Sequence, residues 1–296
     1  MNLGQIGTAM VTPFSEEGTI DYKRAKKLIE HLIANGTDAL IVNGTTGESP
    51  TVTAQEKRAL LSFTVKQVNK RIPVIAGTGT NSTAESVLLT KQAEKLGADG
   101  IMLVTPYYNK PDQRGMYAHF AHIAGETKLP VLLYNIPGRS TVNLVPETII
   151  ELSKIKNICA VKEASGSLEQ MAEIIAGTDD GFSVYSGDDA LTLPLLAIGG
   201  NGVISVASHV VGNEMQQMID AFNSGKTAQA AAMHRALLPV FRAIFSAPNP
   251  VPVKYALEKL GLETGGVRLP LVDFGEGQIP FDQVWENYQK NQHVFN

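Results

Sequence analysis

Short apolar, β-rich runs recur along the chain, and longer segments of helical periodicity lie between them. The runs are residues 6–11, 39–42, 73–76, 100–104, 131–134, 158–161, 182–185 and 202–206. The helical patterns include 22–34, 54–68, 84–96, 116–126 and 168–176. Thr53 reads as an N-cap, and Glu56 three residues later completes a capping box. Asn35-Gly36 and Leu96-Gly97 read as helix ends closed by a glycine. The early runs carry no hairpin turn signal between them, so the alternation predicts parallel βαβ units. A doubly wound open sheet would alternate in the same way. Eight units at roughly 20–33 residues each fit a closed TIM (β/α)8 barrel better, since that fold takes about 200–250 residues. An eighth helix over 214–223 ends the barrel near Gly225, giving a catalytic barrel of residues 1–225. Further helical patterns at 228–245, 252–260 and 281–290 make residues 226–296 a small C-terminal helical appendage.

Composition agrees with one large globular unit and narrows its partners. Apolar residues make up 44% and charged residues 18%, enough for a core and too ordered a mixture for disorder. The net charge of −4 offers no general attraction to phosphate backbones or anionic membranes, so no nucleic-acid or membrane partner is expected. The amino terminus lacks a basic, apolar leader, and no run reaches about 18 apolar residues, so a cytoplasmic protein is expected. One cysteine and six scattered histidines are poor material for a disulfide or a metal site. His119 and His122 stand one helical turn apart with no third ligand following, which reads as packing rather than metal binding.

A barrel carries its chemistry at the carboxyl ends of its strands. Those positions hold Thr12, Gly44-Thr45-Thr46-Gly47-Glu48, Gly77-Thr78, Thr105-Pro106-Tyr107-Tyr108, Tyr134-Asn135, Lys162, Ser186-Gly187-Asp188 and Ser205. Hydroxyls dominate, with one lysine and no carboxylate cluster. Strand alternation puts Ile158, Ala160 and Lys162 on one face, with Cys159 turned to the helices. If that face is the barrel interior, desolvation favours the neutral amine that attacks a ketone. The alternative is a lysine that snorkels to water or pairs with Glu163. Tyr134 with Thr45 and Thr46 can move protons at a carbonyl or imine, although a rim tyrosine is the commoner case. The Gly44–Gly47 turn offers backbone N–H groups to a carboxylate. Arg139 can grip a carboxylate by a two-pronged contact or lie in a surface ion pair. Gly77-Thr78-Gly79 lacks the third glycine of a dinucleotide fingerprint.

Five motifs stand in order along the chain: Gly44-Thr45-Thr46-Gly47-Glu48-Ser49, Thr105-Pro106-Tyr107-Tyr108-Asn109, Tyr134-Asn135-Ile136-Pro137-Gly138-Arg139, Val161-Lys162-Glu163 and Ser186-Gly187-Asp188-Asp189. With Arg268-Leu269-Pro270-Leu271, this pattern resembles the dihydrodipicolinate synthase family over essentially the whole chain. The resemblance implies a class I aldolase on a TIM barrel, with no metal or organic cofactor. Lys162 would form a Schiff base with pyruvate, and the enamine would attack L-aspartate 4-semialdehyde. The product would be the first committed intermediate of diaminopimelate and lysine synthesis. Tyr134 would shuttle protons, relayed by Thr45 and by Tyr108 of a neighbouring subunit in a homotetramer. Thr46 would hold the pyruvate carboxylate, Gly187 and Ile204 would shape the floor, and Arg139 would bind the semialdehyde carboxylate.

Lysine-inhibited members of the family keep an effector site that Ser49, Asn81, Glu85 and Tyr107 match here. Two of its positions, often histidine, are Ala54 and Lys57, which implies weak or absent inhibition by lysine. Related sugar-acid aldolases and N-acetylneuraminate lyase share the barrel, the lysine and the tyrosine. Arg139 and the Thr45-Thr46 pair favour the synthase over these pyruvate-releasing relatives.

Overall fold

The structure is a computed structural model and describes residues 3–274, 281–290 and 292–295. Every predicted apolar run overlaps a strand: β1 (Ile6–Ala9), β2 (Ala39–Val42), β3 (Val74–Gly77), β4 (Gly100–Val104), β5 (Val131–Asn135), β6 (Ile158–Glu163), β7 (Ser183–Ser186) and β8 (Gly202–Ser205). Each strand pairs in parallel with the next, and β1 also pairs with β8, Ile6 opposite Val203. The sheet is therefore a closed TIM (β/α)8 barrel without edges.

Around it run α1 (Tyr22–Ala34), α2 (Ala54–Val68), α3 (Thr83–Lys95), α4 (Gln113–Gly125), α5 (Pro137–Ser140), α6 (Pro146–Ser153), α7 (Leu168–Gly177), α8 (Thr192–Ala197) and α9 (Ser208–Asn223). Then follow α10 (Thr227–Ile244), α11 (Val251–Lys259) and α12 (Phe281–Lys290), with α10 packed on α9 and α12. The side chains of Asp21, Thr53, Ser82, Asp112 and Ser167 accept backbone N–H groups at the starts of α1, α2, α3, α4 and α7. Each cap is worth roughly 1 kcal/mol and fixes where the chain leaves the rim. The Thr53–Glu56 capping box forms as the spacing predicts, and Gly36 and Gly97 close their helices at φ +76° and +85°.

Two apolar layers result. Outward strand residues such as Leu40, Leu103 and Val161 pack with helix residues such as Leu28 and Phe120, while Ile41, Ile75, Met102, Leu132, Tyr185 and Ile204 fill the barrel interior. Gly7 keeps that interior passable, since a Cβ there would stand 2.6 Å from Ile204 Cδ1.

The alternation expected for β6 is corrected at its start. A bulge lies opposite the Val131–Leu132 step, so Ile158 pairs with Val131 while Ala160 pairs with Leu132. The extra residue throws Ile158 into the outer layer, although Ala160 lies in the interior cluster. Cys159 does not pack among helices. It lines a shallow cleft with Lys128, Pro130 and Asn157, near the start of the strand.

Two buried titratable groups flank β8. Asp189 accepts from the Ser205 hydroxyl and from the Val206 and Ala207 amides (3.3 and 3.0 Å), yet complete burial pushes its carboxyl up to about 6. His209 accepts from the Val11 amide (3.2 Å) and donates from Nδ1 to the Val206 carbonyl (2.8 Å), and burial holds it down at about 4. Their ordinary values are 3.8 and 6.5. Asp189 therefore adds stability that is complete below about pH 3.8 and is lost as pH rises through about 6. His209 adds stability that is present above about pH 6.5 and is lost on acidification toward 4. Each term is of order 3 kcal/mol, and over the shared window they oppose one another. Urea unfolding across this range is expected to show that Asp189→Asn steepens the acid loss and that His209→Gln reverses its slope. Slopes equal to that of the parent chain would refute the assignment.

Candidate active site

Lys162 is the next-to-last residue of β6 and lies opposite Tyr134 of β5 in register. It is only 4% exposed, and its Nζ stands 4.3 Å from the centre of the Tyr134 ring. No carboxylate pairs with it among the described residues. Of the alternatives left by sequence, the inward lysine is the one observed. Glu163 does not partner it, because the next residue along a strand faces the other way. That carboxylate is fully buried toward α7, accepting from Asn135 Nδ2 (3.0 and 3.2 Å), the Ser165 amide (2.7 Å) and Gln170 Nε2 (3.0 Å). Burial pushes the Glu163 carboxyl up, and these donors oppose the push.

Above Tyr134 opens a cleft of about 230 Å³, whose wall includes Gly44, Thr45, Met102, Tyr134, Ile136 and Arg139. Lys162 is not on that wall but packs against Tyr134, which is. Gly187 lies on the other side of the lysine and donates its N–H to the Glu163 carbonyl at 2.7 Å. A Cβ at 187 would stand 2.6 Å from Ala164 Cβ and 3.1 Å from Lys162 Cε, so only glycine leaves the lysine its path. Ile204 sits in the interior cluster together with Tyr134.

The loop after β2 supplies Thr45 and Thr46. The amides of Gly47, Glu48 and Ser49 turn back onto the carbonyls of Gly44 and Thr45. Among the described residues the Thr45 and Thr46 amides have no protein acceptor, which leaves them for an anion. Thr46 is buried, and its Oγ1 accepts from Asn249 Nδ2 at 2.9 Å. That bond engages one lone pair and leaves the hydroxyl proton available to a ligand. Gly77 and Gly79 serve close packing: a Cβ at 79 would stand 2.4 Å from the Val104 amide nitrogen.

Tyr108 is not brought to the cleft within this chain. It is 88% exposed at φ +74°. Ser49, Lys57 and Tyr107 line the outer part of the same cleft. Asn81 accepts from Asn109 through its carbonyl, and Glu85 opens α3. Burial lowers the Lys57 ammonium from its usual range, while the Glu85 charge acts to raise it. His119 is buried against Thr83 (2.9 Å) and held at about 4 by burial, and no metal-binding cluster occurs among the described residues.

Sequence reasoning missed the contribution of the carboxyl-terminal segment. Asn249 bonds Thr46, and Lys254 Nζ lies 2.8 Å from Glu48 Oε1, both groups nearly inaccessible to solvent. A lysine within an amphipathic pattern gives no sign of such a partner.

A buried, unpaired lysine beside a tyrosine, under a hydroxyl-lined cleft, is a site for imine chemistry on a small carboxylic acid. Residues 2–279 match the dihydrodipicolinate synthetase family. The 4-hydroxy-tetrahydrodipicolinate synthase of Bacillus velezensis is 59% identical over 278 residues, spanning 94% of this chain and 96% of that protein. A dihydrodipicolinate synthase of Bacillus anthracis superposes with a TM-score of 0.95 at 52% identity, covering 98% of this chain and 99% of the other. That of Cyanidioschyzon merolae, solved with lysine bound, gives 0.94 at 47% identity and covers 99% of both chains. With the match running through every strand that bears a site residue, the chain belongs to the dihydrodipicolinate synthetase family.

Proposed function

We propose that the chain condenses pyruvate with L-aspartate 4-semialdehyde, through an imine on Lys162, to 4-hydroxy-tetrahydrodipicolinate and water. The observation that carries this reading is the buried Lys162 amine, without a carboxylate partner, against the Tyr134 ring. The neutral amine adds to the ketone carbon of pyruvate, and the resulting carbinolamine loses water. The protonated imine draws electrons from the methyl group, which gives up a proton to become an enamine. Its carbon then forms the new bond to the aldehyde, and Tyr134 with Thr45 returns a proton to the developing alkoxide. The amino group of the adduct attacks the imine carbon, closes the ring and releases the Lys162 amine.

In this reading Thr46 and the free loop amides hold the pyruvate carboxylate, Arg139 holds that of the semialdehyde, and Gly187 and Ile204 form the floor. Tyr108 completes the relay in a neighbouring subunit of a homotetramer, and its exposure on the single chain supports this role. Residues 1–225 are the catalytic barrel and 226–296 the helical region, acting in the cytoplasm in diaminopimelate and lysine synthesis. No helix among the described residues is long and apolar enough to cross a membrane.

The test is pyruvate consumption on adding L-aspartate 4-semialdehyde. Consumption is expected. Its absence from a folded chain, with pyruvate released from a sugar acid instead, would move the assignment to the sugar-acid aldolases. Lysine is expected to inhibit weakly, because Lys57 brings a cation to the cleft wall that holds Ser49 and Tyr107. In a titration, half-inhibition is expected only above about 1 mM, corresponding to roughly −4 kcal/mol of binding. Half-inhibition far below that concentration would overturn the expectation.

A further inference from the structure

We propose that the buried Lys254–Glu48 ion pair is a positioning device for the threonine loop, through which the carboxyl-terminal helices set the affinity for pyruvate. The inference rests on the imine reading above and extends it to residues outside the barrel.

Glu48 follows Thr45 and Thr46 by only a few residues and holds a left-handed backbone at φ +55°. A residue other than glycine keeps that conformation only where its surroundings over-determine it. Here they do. One carboxylate oxygen lies 2.8 Å from Lys254 Nζ, and the other accepts from the Arg268 amide at 2.9 Å. Lys254 is itself anchored, donating to the Gly266 carbonyl at 2.7 Å with its ammonium 4.3 Å from the centre of the Phe14 ring. Five residues before Lys254, Asn249 holds the Thr46 hydroxyl. The loop is thus gripped at Thr46 and at Glu48 by one short segment some 200 residues later in the chain.

Such a pair is poorly explained by stability. Two charges withdrawn from water recover in mutual attraction about what they lose in hydration, and apolar side chains of similar size hold a fold as well. What apolar side chains lack is direction. The ammonium holds one carboxylate oxygen by charge at 2.8 Å, and the Arg268 N–H gives the other its direction, so together they fix the turn of the loop and with it the Thr45 and Thr46 amides. A displacement on the order of 1 Å in such a group costs up to about 100-fold in kcat/KM, and where the group holds the substrate carboxylate the loss falls on KM.

The experiment uses the full chain with Lys254→Met, Glu48→Gln and both together. Pyruvate KM, kcat, borohydride-trapped pyruvate and melting temperature are measured on each. Both single variants are expected to lower the melting temperature and to raise pyruvate KM by at least about 10-fold. The double variant, with no unpaired charge left, is expected to regain the melting temperature while KM stays high. A double variant with the parent KM, or a KM that follows melting temperature through the series, overturns the proposal. If the single variants do not fold, the double variant decides by the same KM. A parent chain that traps no pyruvate overturns the imine reading and this proposal with it. Trapping by the parent with KM unchanged in the double variant overturns the proposal alone.

Discussion

Replacing Lys162 with alanine is expected to lower turnover by about 10⁴-fold or more, because the covalent route is removed and nothing nearby can replace the amine. The melting temperature should hold, since the variant breaks no hydrogen bond or ion pair of Lys162 among the described residues. Lys162→Arg tests the amine itself: a guanidinium stays protonated and cannot add to a ketone, so the same loss is expected. Incubation with pyruvate and borohydride should attach one reduced pyruvyl group to the parent chain and none to either variant. Turnover by Lys162→Ala within tenfold of the parent would remove the imine from the mechanism.

The second large effect lies one residue further on. Glu163→Leu is expected to cost about 3–5 kcal/mol, through donors left without acceptors rather than through lost packing. The Asn135 and Gln170 amides and the Ser165 N–H all point at this carboxylate. Asn135 also accepts from the Leu144 amide (2.9 Å) and donates to Asn143 (2.7 Å), so the network joins β5, β6, α7 and the approach to α6. Its place in the register explains why activity should suffer as well. Asn135 and Glu163 pair across the strands directly beyond Tyr134 and Lys162, on the opposite face of the sheet. A thermal melt should shift down by on the order of 10 °C. An unshifted melt would show that the donors find other partners.

The barrel was legible because its strands are bounded apolar runs set between long helical patterns. The helices at 22–34 and 54–68 match those patterns to the residue. The short helices α5, α6 and α8 escaped notice, since four to eight residues give too few turns for a period to show. The bulge at Cys159 was hidden for another reason: either face is apolar at Ile158, so alternation could not reveal an inserted residue. Lys162 and Tyr134 were marked by their strand-end positions and Thr45 and Arg139 by the loops that follow strands; the structure puts Thr45, Tyr134 and Arg139 on one cleft wall, with Lys162 packed behind Tyr134. The grip of Asn249 and Lys254 on the same loop was not. Nothing local marks a contact made across about 200 residues of chain, and a charged residue on a helix reads first as solvated.

The pairing of β1 with β8 bears on how the protein is made. Ile6 waits for Val203, so the first strand has an open flank until about 200 further residues have been synthesised. At roughly 5–20 residues per second, that interval is on the order of 10–40 s. Throughout it, the growing sheet offers unpaired backbone groups at both margins, each able to recruit a strand from another nascent chain. Local βα units can form early, but the last gap closes slowly because its partners are so distant in sequence. The finished molecule has no such margin, so its exposure to aggregation is concentrated in the minute of its birth.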